Sequence, residues 1–266
     1  MPRYAAGVQY DGSGFYGWQR LKSGLPTVQE AIENALSVVA NHDIAVVCAG
    51  RTDTGVHGCR QVIHFDTHAI RTDRSWVLGT NRNLPDSVAI DWVKRVPDDF
   101  HARFSAQWRR YRYVIYNGSV RPAHLPYGVT WCHRPLNTLQ MQEAANYLSG
   151  EHDFTSYRAV QCQAKSPVRT IHDIHVMRTG NLVVIDVRAN AFLHHMVRNI
   201  AGVLMAIGTG KQPVFWAKEV LQARDRRKGG VTAKSNGLYF VDVGYPESFD
   251  LPGREIGPFF LAGLFS

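Results

Sequence analysis

IAVVCAGRTDTGVHGCRQVIHFDT, residues Ile44 to Thr67, sets two short β-branched runs on either side of a polar segment rich in glycine. IAVVCA (Ile44–Ala49) and QVIHFDT (Gln61–Thr67) have the composition of strands, so the residues between them predict a loop. That loop holds one carboxylate, Asp53, with Arg51 two residues before it and His57 four after. Glycine lets the backbone turn tightly and approach a ligand, and loops carried by rigid strands are where reactive groups are usually mounted. An acid in such a place also serves simply as a turn residue. The segment alone leaves both roles open.

Upstream, RYAAGVQY (Arg3–Tyr10) predicts a strand ended by the turn-rich DGSGFYG (Asp11–Gly17), which lacks the spacing of a phosphate-binding loop. Thr27 and Glu30 have capping-box spacing, and Val28, Ile32, Ala35, Leu36 and Val39 then recur on one helical face. Beyond the Asp53 loop, a short helix is expected from Asp73 to Thr80 and a strand in SVAIDWVKRV (Ser87–Val96). The order is β-α-β-β-α-β.

The second half repeats that grammar with additions. WRRYRYVIY (Trp108–Tyr116) and YGVTWCH (Tyr127–His133) predict strands, and TLQMQEAANYLSG (Thr138–Gly150) a helix ended by glycine. Val168–Arg178 and Asn181–Ala189 form a predicted hairpin across Thr179 and Gly180. Helices are expected from His194 to Ile207 and from Val214 to Ala223, then a last strand from Gly237 to Tyr245. The fold class is therefore α+β, with two ferredoxin-like halves whose antiparallel or mixed sheets enclose a central basic cleft. The joint is expected in PDDFHARFSA (Pro97–Ala106), giving an N-terminal subdomain over 1–104 and a C-terminal one over 105–266.

The chain has 266 residues, 45% hydrophobic, enough for a sizeable core. No run approaches the roughly 18 apolar residues that span a bilayer, and the first residues have no export signal, so no membrane association is expected. Cys48, Cys59, Cys132 and Cys162 are scattered without a C-x-x-C pair, which argues against a zinc knuckle or a disulfide framework and favours a reducing, cytoplasmic setting. Thirty Lys and Arg against 22 Asp and Glu give a formal charge of +8, which suits a polyanionic partner as well as plain solubility.

Placement of charge sharpens the choice. In WRRYRYVIY, strand alternation puts Arg109, Tyr111, Tyr113 and Ile115 on one face and Trp108, Arg110, Arg112, Val114 and Tyr116 on the other. Arginine grips phosphate and tyrosine offers a flat ring to an unstacked base, so the mixture suits single-stranded or distorted RNA. The same tyrosines also read as half-buried packing, but arginines so crowded require a counter-anion or ample solvent. RDRRKGG (Arg224–Gly230) reads as a solvated helix end with room for RNA backbone contact. His194, His195 and His68 show no metal-binding spacing, and adjacent helical histidines diverge, so no metal is expected.

GRTDTGVHG (Gly50–Gly58) closely resembles the signature loop of the A-class tRNA pseudouridine synthases, usually seen as GRTDAGVHA or GRTDAGVHG. The resemblance continues through YDGSGFYGWQR, NLPDSVAIDWVKRVPDDFHARFSA, RRYRYVIYN, EHDFTSYRAVQCQ, NAFLHHMVRNIAG and GLYFVDVGYP, in the family's order and over nearly the whole chain. Thr54 departs from the usual alanine. The resemblance implies isomerisation of uridine to pseudouridine at positions 38, 39 and 40 of tRNA, without cofactor or metal, by a homodimer that holds the anticodon arm. It makes Asp53 the catalytic carboxylate and Arg198, in HHMVRN, the cation paired with it. It also gives Tyr111 a place against the target base and Arg51 a part in flipping that base.

Two other readings fit the sequence. One is a non-catalytic RNA-binding module, although the RNP signature is absent. The other is a metal-dependent nuclease built on Asp53, His57, His64 and Asp66.

Overall fold

The computed structural model describes residues 1–253 and 256–264. The chain forms two compact units, one of Met1–Gln107 with Tyr239–Gly263 and one of Trp108–Leu238 with Leu264.

The first unit runs β1 (Arg3–Tyr10), α1 (Val28–Ala40), β2 (Val47–Cys48), β3 (His57–Asp66), α2 (Asp73–Asn83) and β4 (Val88–Val96). In space the order is β4-β1-β3, with Ala5 opposite both His64 and Lys94 in antiparallel register. β2 pairs antiparallel with Ile63 and His64 of β3, and the returning β10 (Leu238–Gly244) pairs parallel with His57 and Gly58. The β-α-β-β-α-β pattern thus closes with ferredoxin-like neighbours, because hydrophobic alternation and helical periodicity agree at each step.

Thr27 Oγ1 accepts the Glu30 N–H at 3.4 Å, and Asn41 ends α1 in the left-handed region. The helix buries Val28, Ile32, Ala35 and Leu36. Tyr4, Ala6, Val8 and Tyr10 of β1 alternate towards this core, where Phe65 packs between Tyr4 and Trp76. Each such side chain, fully buried, contributes about 1.5–3 kcal/mol. The β2 run is shorter than its composition suggests. Side chains of α1 hold the backbone just before it, with Ser37 Oγ accepting from Ile44 N–H (2.8 Å) and Glu33 Oε1 from Val46 N–H (3.1 Å).

The second unit runs β5 (Trp108–Asn117), β6 (Thr130–Cys132), α3 (Thr138–Asn146), β7 (Gly150–Asp153), β8 (Val168–Thr179), β9 (Leu182–Ala189), α4 (Met196–Gly208) and α5 (Trp216–Ala223). Its sheet has the order β5-β9-β8-β7, antiparallel throughout, with β6 parallel to the end of β5. The β8–β9 turn is Gly180–Asn181, one residue later than predicted, since Thr179 pairs with Leu182 and Gly180 takes φ +52°. β7 escapes prediction because GEHD carries no apolar alternation. Its four residues pair with Val168–Ile171 as an edge strand.

Candidate active site

Gln61, fully buried on β3, clamps the entrance of the loop between β2 and β3. Its Oε1 accepts the Gly50 N–H at 3.2 Å and its Nε2 donates to Gly50 O at 2.6 Å. At the far end the Val56 N–H returns to Asp53 O at 3.1 Å, across Gly55 at φ +76°. These bonds leave Asp53 half-buried, Arg51 exposed and Thr52 buried. The glycines therefore serve a tight closure around the acid, as the sequence suggested.

A second layer comes from residues 10–18, and composition had marked it only as a turn. Trp18 N–H donates to Thr52 O at 3.0 Å, and the hydroxyls of Tyr10 and Thr52 meet at 2.8 Å. Burial pushes the Tyr10 hydroxyl pKa upward, so it stays protonated and bonds as a neutral group. Gly12 packs so closely that a Cβ there would sit 1.9 Å from Val56 O. Gly17 adopts φ +94° with its Cβ position 2.9 Å from Thr52 O. The useful signal lies in two of the three glycines of DGSGFYG, Gly12 and Gly17, each answering a backbone contact.

His57 is buried beneath this layer and stacked on Tyr239 at 4.6 Å. Its Nδ1 accepts the Gly12 N–H at 3.2 Å and lies 3.0 Å from Asp11 Oδ1. One nitrogen cannot accept and donate at once. A bare Nδ1 takes the Gly12 bond and an Nδ1–H the Asp11 bond, so the tautomer selects between them. For Asp11, burial works upward, but the Ser13 bonds and His57 outweigh it and hold the carboxyl below its ordinary range. Near the loop entrance, burial pushes the Cys48 thiol up to about 12, while the charges of Arg51 and then Arg103 pull it back. Both guanidiniums therefore place positive potential at the start of the Asp53 loop.

In the second unit Tyr111 stands on β5 opposite Val187, 8% exposed, with Phe192 edge-on to its ring at 4.9 Å. Arg198 lies in the first turn of α4, half-buried. Its Nε donates to Ala233 O at 2.8 Å, and the Ala233 N–H answers to Arg198 O at 3.1 Å. Gly202, one turn on, lies against the same segment, its Cβ position 1.9 Å from Val231 O. His194 and His195 precede the helix rather than ride on it, His195 being the N-cap at φ +61°, and their rings approach to 4.0 Å instead of diverging.

The crowded arginines of β5 find their counter-anion inside the fold. Asp186, 2% exposed on β9, accepts from Arg110 Nε (2.6 Å) and Nη2 (2.9 Å) and from Arg112 Nε (2.8 Å). Tyr113 is buried too, its hydroxyl bonded to Thr130 and to Lys234 O. Arg112 and Tyr113 are thus packing residues, and the strand is buried on both faces through its middle. In RDRRKGG, Arg226 is drawn inward to Asn199 Oδ1 (3.0 Å) and Thr232 Oγ1 (2.9 Å), whereas Arg227 stays exposed on Asp225.

Residues 6–105 and 144–246 match the family model described as tRNA pseudouridine synthase. The tRNA pseudouridine synthase A of Pseudomonas aeruginosa is 60% identical over 264 residues, covering 99% of this chain and 93% of that protein. The chain belongs to the tRNA pseudouridine synthase family. Proteins of the same name from Alcanivorax borkumensis and Coxiella burnetii are 58% and 56% identical over 261 residues, covering 98% of this chain and 98% and 100% of theirs.

Membership in the tRNA pseudouridine synthases agrees with the geometry around the rival readings. His57 and His64 are seven residues apart along β3, roughly 20 Å at strand rise even with the bulge opposite Val8 and Tyr10, too far to share one ion. His64 Nδ1 accepts the Ala102 N–H (3.1 Å), and Asp66 is held by the Arg3 fork through two bonds of 2.8 Å. The nuclease set is thus dispersed into structural tasks. The exposed aromatic strand face that an RNA-binding module of RRM type needs is missing from β5. Asp53 and Arg51 belong to the first unit of this tRNA pseudouridine synthase, and Tyr111 and Arg198 to the second. Among the described residues no helix is long and apolar enough to cross a membrane.

Proposed function

We propose that the protein isomerises uridine to pseudouridine at positions 38, 39 and 40 in the anticodon stem and loop of tRNA, with Asp53 as the essential carboxylate. The supporting observation is that carboxylate itself: half-buried, in a signature loop clamped by Gln61 and braced by Gly12, Gly17 and Tyr10. Rigid support of that kind is what a reacting group requires. The reaction breaks the bond from N1 to C1′ and forms one from C5 to C1′. N1 ends with a proton, and the proton on C5 leaves to solvent. An ionised carboxylate can attack C1′, attack the base or take a ribose proton, and each route starts from the same charged oxygen.

In this reading Arg198 keeps that oxygen charged where water is scarce, since an ion in such a site needs a counter-charge. Tyr111 stacks on the uracil, its ring angle held by Phe192. Arg51, exposed at the loop entrance, supports the flipped nucleotide, whose unstacking costs a few kcal/mol that phosphate contacts offset. The protein works on the tRNA anticodon arm as a cytoplasmic homodimer, without metal or small-molecule cofactor. The test is tritium release from tRNA labelled at uridine C5. Wild type should release it and Asp53→Asn should not, while Arg198→Met should lose turnover far more than affinity. Equal release by wild type and Asp53→Asn refutes the assignment.

A further inference from the structure

The basic run RDRRKGG (Arg224–Gly230) divides in the folded chain. Arg227 stays in solvent on Asp225, whereas Arg226 turns inward. Its Nη2 donates to Asn199 Oδ1 at 3.0 Å and to Thr232 Oγ1 at 2.9 Å, and the Thr232 hydroxyl donates to the same Asn199 oxygen at 2.7 Å. The three side chains close a triangle in which Nη2 uses both its hydrogens and the Asn199 oxygen both its lone pairs. Asn199 is 2% exposed, and its Nδ2 donates to Tyr157 O at 2.7 Å. The amide is therefore fixed one way round, since a flip would set its NH2 against a guanidinium.

That triangle anchors the chain that follows it. From Gly230 to Ala233 the backbone lies so close along α4 that a Cβ on Gly202 would sit 1.9 Å from Val231 O, and one on Gly230 3.5 Å from Gly202 O. The segment is tied at both ends, with Asp225 N–H on Ser156 Oγ at 2.9 Å and Lys234 O on the Tyr113 hydroxyl at 2.9 Å. Ala233, next to Thr232, makes two bonds to Arg198: its N–H donates to Arg198 O at 3.1 Å and its carbonyl accepts from Arg198 Nε at 2.8 Å. Nε lies in the plane of the guanidinium, so an acceptor held there sets how that plane is turned. Arg198 and Asn199 are neighbours on α4, and one turn of helix thus carries both the guanidinium and the anchor of the segment that orients it. All of these residues belong to the second unit.

We infer that Arg226 and Thr232 are positioning residues for Arg198, fixing through Asn199 the segment whose Ala233 carbonyl orients the Arg198 guanidinium. This rests on the role proposed above for Arg198 and takes Arg226 out of the charges that face RNA. A phosphate contact would need the Nη2 hydrogens, and both are directed to interior oxygens. A guanidinium turned out of line weakens the reaction more than it weakens tRNA binding, so loss of the brace falls on kcat.

Arg226→Met, Thr232→Val, Thr232→Ser and wild type are compared by tritium release and by filter binding of unmodified tRNA over a range of salt. A third readout is the NMR signal of the Arg198 Nε–H, assigned by its loss in Arg198→Met. Arg226→Met and Thr232→Val should lower kcat by about 10- to 100-fold, approaching the loss that a 1 Å misplacement brings. Their Kd and its salt dependence should match wild type, and the Nε–H signal should shift and exchange faster with water. Thr232→Ser keeps the hydroxyl and should behave as wild type. If Arg226→Met fails to fold by circular dichroism, the near-isosteric Thr232→Val carries the comparison. A raised Kd with intact kcat and a salt slope reduced by about 1 would make Arg226 a phosphate contact and overturn the inference. Equal impairment in Thr232→Ser and Thr232→Val would overturn it too. The NMR signal keeps the two claims apart. If wild type releases no tritium but the signal moves in Thr232→Val and stays in Thr232→Ser, the reaction assignment fails and the brace stands. If wild type is active and neither kcat nor the signal changes in Arg226→Met and Thr232→Val, the brace fails alone.

Discussion

Asp186→Ala tests whether the arginines of β5 are part of the fold or reserved for RNA. The carboxylate is 2% exposed and accepts three charge-assisted bonds, two from Arg110 and one from Arg112, itself only 5% exposed. Removing one side of a buried ion pair costs about 3–5 kcal/mol, because the remaining charge keeps its desolvation penalty and loses its compensation. With a urea m-value of about 3 kcal/mol per molar for a chain of this size, the unfolding midpoint of the second unit should fall by roughly 1–2 M. Circular dichroism against urea reads it. Adding Arg112→Met to Asp186→Ala should recover part of the loss, since a buried pair replaced by apolar packing is often neutral. A loss under about 1 kcal/mol, or no recovery in the double variant, would show that Asp186 is not what compensates these guanidiniums, and RNA phosphate would return as their partner.

Gly12→Ala drives a methyl to within 1.9 Å of Val56 O, whereas Gly14, two residues on, has nothing within 4 Å of its Cβ position. Tritium release should drop by about 100-fold in Gly12→Ala, the order expected for a 1 Å shift of a reacting group, and Gly14→Ala should keep its activity; equal rates would separate the turn from the Asp53 loop. Burial holds the His64 pKa down to about 4, from an ordinary 6.5. The unfolded chain therefore binds an extra proton between those values, and stability is complete above pH 6.5 and declines as pH falls to about 4. The decline should be about 2 kcal/mol, below the full linkage value because the ring is only partly desolvated. His64→Asn, which keeps an acceptor for Ala102 N–H, should flatten that part of the urea midpoint profile; a profile like that of wild type would refute the assignment to His64.

Much of the fold could be read directly because periodicity carried it. β1 falls on Arg3–Tyr10 as predicted, and the Thr27 cap starts α1 where the spacing put it. The departures have local causes. The stretch before β2 loses its ladder to Ser37 and Glu33 side chains, and β7 has polar residues that no pattern distinguishes from a loop. Glu33 and the β8 partners of β7 lie beyond a window of ten residues, and the Ser37 bond, though local, is a side-chain contact that hydrophobic alternation does not register.

The candidate site was legible in a different way. Asp53 stood out because an acid between glycines and two strands is unusual enough to ask about, yet only its neighbours give it a fixed position. Those neighbours are a glycine at 12 that admits Val56 O, a glycine at 17 in a conformation closed to other residues, and a buried tyrosine hydroxyl at 10. None is chemically reactive, so motif reasoning aimed at reactive groups passes over them. The same reasoning overrated Arg110 and Arg112, whose charge is answered inside the sheet by Asp186. A basic strand thus advertises RNA binding in proportion to the arginines left after buried carboxylates are subtracted, and in β5 that subtraction removes two of three.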